Sequence, residues 1–180
     1  MRCATYHRAP MSAALPDRVD VARQVQARRI YAGSLSFTAM PRLRGLLATT
    51  AGEARYHAQF DRDELGIDFI ALRVEGALPL QCQRTLEVFA LPVRIDERLG
   101  LIADERDEAA LPAGYEPLLV EHGAIDLAAV IEDELILAVP VVPTRPGPAL
   151  DWVDDAAVEA PPPTSPFAVL AAMKKQGDRR

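Results

Sequence analysis

Ala54, Tyr56, Ala58 and Phe60 alternate with Arg55, His57, Gln59 and Asp61. A period of two suits a strand with one dry and one wet face, so a chain containing this segment must build a sheet around it. The neighbouring stretches extend the pattern. Ile30 to Phe37 reads as a preceding strand, with Ile30, Tyr31, Leu35 and Phe37 around Gly33, and Asp61 to Gly66 reads as a polar turn. Ile67 to Leu80 follows as a strand carrying Phe69 and Ala71 with Leu72 and Val74. Leu86 to Leu101 forms another long strand interrupted by Pro92, and Tyr115 to Val120 supplies a short final one. An antiparallel meander is the simplest arrangement. Pro79 and Pro92 belong at edges or bends, because proline has no N–H to give a ladder.

Helical signals flank this sheet. Asp17 or Asp20 can cap a helix running to about Ala27, with Val21 and Val25 on one side and Arg23, Arg28 and Arg29 elsewhere on its surface. Pro41 can open a second helix through Leu43, Leu46 and Leu47, bearing Arg42 and Arg44. Asp126 caps a third, whose Leu127, Val130, Ile131, Leu135 and Ala138 recur at helical spacing up to Pro140. Its Glu132, Asp133 and Glu134 read as a solvated face. A proline-rich acidic stretch follows, with Pro161-Pro162-Pro163 and Trp152 among Asp151, Asp154, Asp155 and Glu159. Such a composition buries too little apolar surface to offset its ordering entropy. Ser165 as cap, Pro166 at the first position and Phe167, Leu170 and Met173 three apart then restore a helix, which either docks on a partner or folds back on the sheet.

The expectation is an α+β fold: an antiparallel sheet of about five strands, open or barrel-like, flanked by helices. It is followed by a proline-rich acidic segment and a C-terminal helix. The expected boundaries are a flexible N-terminus over 1–16, the α+β domain over 17–143, the linker over 144–164, and the terminal helix with its basic tail over 165–180.

Composition excludes several function classes. No apolar run reaches the roughly 18 residues that cross a bilayer and no leader pattern opens the chain, so the expected place is the cytoplasm, with no membrane partner. Cys82 stands in Gln81-Cys82-Gln83-Arg84-Thr85-Leu86, where a thiol at position 85 would make half a zinc knuckle. Thr85 is there instead. The other cysteine, Cys3, and His7, His57 and His122 lie far away in sequence, so the expectation is no metal, no cofactor and reduced thiols. Neither histidine within the sheet region, His57 or His122, has a nucleophile beside it, and no glycine-rich phosphate loop is present. No catalytic residue, enzymatic role or small-molecule substrate is expected.

Charge is distributed unevenly. Residues 1–62 carry +6, residues 63–165 carry −15 and residues 166–180 carry +3, for the net −6. A basic end can meet a polyanion while an acidic centre repels it or holds a basic protein.

Three blocks resemble the YceD family, bacterial factors for accumulation of large-subunit ribosomal RNA. They are Leu80-Gln81-Cys82-Gln83-Arg84-Thr85-Leu86-Glu87-Val88-Phe89, the stretch from Tyr115-Glu116-Pro117 through Ile125-Asp126-Leu127 to Pro140-Val141-Val142-Pro143, and Ser165-Pro166-Phe167-Ala168-Val169-Leu170. The resemblance covers most of residues 17–176. Family members often carry Cys-x-x-Cys at the positions of Cys82 and Thr85, and further cysteines after the Pro-Val-Val-Pro block. A family zinc site therefore does not transfer to this chain, and a hydrogen-bonded turn is expected in its place. The resemblance implies a ribosome-biogenesis factor whose partner is the large-subunit (23S) RNA. On that footing Arg23, Arg28, Arg29, Arg42, Arg44 and Arg84 are the candidate phosphate contacts, since guanidinium donates in pairs to phosphate. Phe167, Leu170 and Met173 are the candidate partner-binding residues. The alternative is an acidic adaptor for a basic partner, such as a ribosomal protein, without direct RNA contact.

Overall fold

In chain order the elements are β1 (Val19–Asp20), α1 (Val21–Gln26), β2 (Ile30–Ser36), β3 (Glu53–Arg62), β4 (Asp68–Gln81), β5 (Val88–Ile102), β6 (Glu116–Leu119), β7 (Ala124–Ile125) and α2 (Leu127–Leu137). The computed structural model describes residues 15–147. The expected N-terminal segment to residue 14, most of the linker and the terminal helix with Phe167, Leu170 and Met173 lie outside the described residues.

β3 behaves as its alternation requires, burying Ala54, Tyr56, Ala58 and Phe60 and exposing Arg55. Around it stands a five-stranded sheet of order β2-β3-β4-β5-β6, while β1 and β7 pair separately. The sheet is open, with β2 and β6 as its edges, rather than a barrel. Nor is it wholly antiparallel: β5 and β6 are parallel, with Leu99 beside Glu116 and Ile102 beside Leu119. Parallel pairing needs a long return connection. The segment after Ile102 supplies it through a 3-10 helix, Glu105–Ala110, whose start is closed by reciprocal Asp104 and Asp107 side-chain bonds.

β4 has a phase that the sequence left open. Ile70, Leu72, Val74, Leu78 and Leu80 face the core, and Phe69 and Ala71 face the other side. Apolar residues occupy both parities from Ile67 to Leu72, so local alternation does not choose a face; the register Phe60↔Ile70 and Ala58↔Leu72 does. β5 also runs unbroken through Pro92. β3 pairs with β4 only as far as Ala54↔Gly76, and β6 pairs with β5 only from Leu99 onward. Residues 77–81 and 88–92 therefore form a two-stranded arm. Both Pro79 and Pro92 sit on that arm, where no third strand asks for their missing N–H.

Asp20 caps α1 by accepting from the N–H of Arg23 at 2.9 Å. Asp126 caps α2 by accepting from Ala128 and Ala129 at 3.0 and 3.1 Å. No helix follows Pro41. Instead two short 3-10 turns, Phe37–Ala39 and Leu43–Gly45, carry the chain round a corner. The N–H of Ala48 is bonded to the carbonyl of Pro79 at 2.8 Å, which draws the backbone onto β4 and stops further winding. Val21, Val25, Phe37, Met40, Leu43, Leu127, Ile131 and Leu135 join the strand residues in one core on a single face of the sheet.

Candidate nucleic-acid interface

The six candidate arginines do not form one patch. Arg23, Arg28 and Arg29 gather beside α1. Arg28 ends that helix with φ 45°, in the left-handed region that closes helices, and the reversal presents Arg28 and Arg29 in succession. Arg28 Nε lies 3.2 Å from Asp61 Oδ1 and remains largely exposed. Arg29 accepts the Phe60 N–H on its carbonyl at 2.9 Å and holds its guanidinium 5.9 Å from the centre of the Tyr31 ring. Arg62, which sequence reasoning did not single out, lines a hollow of about 350 Å³ with Ala22, Val25 and Gln26, and is paired with Asp68. Arg42 and Arg44 lie past the other end of β2, whose length puts them roughly 20 Å away along the strand. Arg84 is exposed in the turn at the arm tip.

Arg42 is built into the fold. Glu132 is buried, at 5% exposure, and accepts from the backbone N–H of Arg42 at 2.6 Å and of Leu43 at 3.0 Å. The Arg42 guanidinium returns to Glu132 Oε2 at 3.2 Å, to the Ala129 carbonyl at 3.1 Å and to Asp133. Hydrogen bonding by Asp133 raises the guanidinium's pKa further, so it stays charged. A buried carboxylate is stable only when its acceptors are filled. The reading of residues 132–134 as a solvated face is thus wrong for Glu132: it caps the corner that replaces the expected helix. The two orphan donors at the start of the Leu43 turn were the physical signal, but their partner lies ninety residues away.

Glu134 is different again. Burial raises its pKa, and the charges of Glu97, Glu116 and Asp133 raise it further. Glu97 and Glu116 stand on β5 and β6, the side of the sheet away from β2.

The Cys82 turn is closed by its own backbone hydrogen bonds. Cys82 N–H donates to the Glu87 carbonyl at 2.9 Å, and Leu86 N–H donates to the Cys82 carbonyl at 2.8 Å with Leu86 at φ 59°. The thiol is inaccessible to water. Its Sγ accepts from Arg145 N–H at 3.4 Å, and Gln83 N–H reaches the Pro143 carbonyl at 2.8 Å, so the irregular segment after α2 is stapled to the arm tip. The Arg145 N–H, followed by the hydroxyl and N–H of Thr85, lowers the thiol pKa to about 6. Among the described residues, no three His, Cys, Asp or Glu side chains gather to hold a metal ion.

At the β3–β4 turn, Asp63 accepts from Leu65 N–H at 2.9 Å, Ile67 N–H at 2.8 Å and Tyr115 Oη–H at 2.9 Å. The Ile67 bond contributes most to its lowered pKa. Tyr115 meets Phe69 edge to face at 5.7 Å, and Arg98 stands 5.6 Å over the Phe69 ring. No described helix is long and apolar enough to cross a membrane.

A half-covered open sheet, ion-paired surfaces and a hydrogen-bonded turn in a knuckle's place define a small α+β protein that presents charge and shape. The chain belongs to the YceD family, described as large ribosomal RNA subunit accumulation protein YceD, whose family model matches residues 70–174. It is similar to the large ribosomal RNA subunit accumulation protein YceD of Haemophilus influenzae, at 29% identity over 169 residues, covering 90% of this chain and 97% of that protein. No solved structure matches the chain.

Proposed function

We propose that this protein is a non-catalytic, cytoplasmic ribosome-biogenesis factor that supports accumulation of large-subunit (23S) RNA by binding that RNA. What supports the reading is the run of Arg28 and Arg29 after α1, with Arg28 against Asp61 of β3 and Arg29 over Tyr31 of β2, on the side of the sheet away from Glu97 and Glu116 of β5 and β6. That polarity lets phosphate approach one edge and repels it from the other. Arg44 and Arg84 add separate exposed cations. Arg42 serves chiefly as a positioning residue through Glu132. No metal or cofactor is required.

Titration of a large-subunit RNA fragment at several salt concentrations tests the reading. Affinity falls as salt rises, with a log–log slope of roughly −0.7 to −0.9 per phosphate neutralised. The double variant Arg23→Gln/Arg29→Gln makes that slope shallower by about 1.4–1.8. Wild-type protein that ignores RNA at low salt refutes the proposal.

The like-charged surroundings of Glu134 favour a second reading, an adaptor whose acidic side captures a basic ribosomal protein. Low-salt co-purification separates the two: nuclease removes an RNA partner and leaves a protein one.

A further inference from the structure

The sheet face opposite the core carries no described α-helix, and the return connection to β6 crosses it beside Gly100, on which Leu111 packs. Register defines its rows: Ser34, Arg55, Glu75 and Arg94 lie abreast; then Ala32, His57, Arg73 and Asp96; then Ile30, Gln59, Ala71 and Arg98. Arg55, Arg73 and Arg98 therefore fall on one diagonal, each a single row and a single strand from the last. Diagonal cross-strand neighbours are about 7–8 Å apart. The diagonal ends on Phe69 and Tyr115, with Arg98 over the Phe69 ring.

We propose that this open face is a track for extended single-stranded RNA, its phosphates on Arg55, Arg73 and Arg98 and a base on Phe69. The inference rests on the RNA-binding reading above and names the form of RNA and a second set of contacts. Two features select a single strand. The diagonal step is comparable with one nucleotide of extended chain, and the half-buried Phe69 ring, already stacked by Arg98, is an aromatic surface that a base held in a duplex cannot reach. The adjoining acids do not make the face negative. Of the four acids on the face, Asp96 is paired with Arg73 at 3.2 Å, Glu75 with Arg94 at 3.6 Å and Asp61 with Arg28 at 3.2 Å, and Glu53 accepts from the Ser34 hydroxyl, while Arg55 and Arg98 have no ion pair among the described residues. Those two are the cations that phosphate meets at least cost.

The test uses the full chain, fluorescence anisotropy and a labelled oligouridine. Arg55→Gln and Arg98→Gln each weaken binding and make the salt slope shallower by about 0.7, and Arg55→Lys and Arg98→Lys restore the slope. Phe69→Ala weakens binding roughly ten- to hundredfold without changing the slope. Circular dichroism and thermal melting confirm that each variant is folded, and the lysine variants keep the test valid if a glutamine variant is not. Wild-type binding untouched by the face variants, but reduced by Arg23→Gln/Arg29→Gln, overturns the track and leaves the function standing. Wild-type protein that binds no RNA of any form overturns both. Face variants that instead lose a nuclease-resistant protein partner overturn the track in favour of a protein interface.

Discussion

Replacing Glu132 with alanine orphans the N–H groups of Arg42 and Leu43 at once and frees the Arg42 side chain. The expected loss is about 2–4 kcal/mol in urea unfolding, with Arg42→Ala costing less because Glu132 keeps its two backbone donors. Equal costs for the two substitutions would refute the capping role. Glu134 acts in the opposite sense. Its folded pKa lies above the unfolded value, so its stabilising share is complete below the ordinary glutamate range and is lost as pH rises through the raised value. Glu134→Gln therefore stabilises the protein at pH 7, with a gain that vanishes at low pH; a loss at pH 7 contradicts the assignment. For Cys82 the shift is downward, to about 6, from an unfolded value near 8.5. Its thiolate contributes stability that is complete above the unfolded value and disappears as pH falls through 6. Denaturation midpoints should rise between pH 6 and pH 8.5, and Cys82→Ser should flatten that rise.

Among elements, the arm tip holds an exposed Leu86 at φ 59°. A leucine in the left-handed region costs about 1–2 kcal/mol, whereas glycine enters freely but loses more entropy on folding. Leu86→Gly should leave the melting temperature equal or higher, and a clear fall would mean that the side chain has a packing role. The elements also show how far local pattern reaches. β3 was legible because its apolar residues keep one parity, and α2 because Asp126 and the Leu127, Val130, Ile131 and Leu135 spacing agree. Tyr56 and Phe60 are core, as alternation implies. β4 was found without a phase, since both parities are apolar, and the parallel pairing of β6 has no local signature. Glu132 hid inside a charged triplet. The arginine diagonal exists only once register is known, because its members lie on three strands.

At the scale of the molecule, the excess of acids over bases leaves net charge −6 and concentrates repulsion around Glu134. The ion pairs that oppose it are mainly between exposed groups, such as Arg73–Asp96 and Arg94–Glu75, which are worth little. Screening should therefore relieve more repulsion than attraction. Melting temperature is expected to rise from 50 to 500 mM salt by a few degrees, and a fall would show that the ion pairs dominate. The Arg42–Glu132 bond has a further consequence during synthesis. Its partners are separated by ninety residues, which at about 5–20 residues per second means that one waits roughly 5–20 s for the other to be translated. The corner after β2 stays unsealed on the nascent chain until α2 has been made, so this part of the fold closes well after the strands that flank it have left the ribosome.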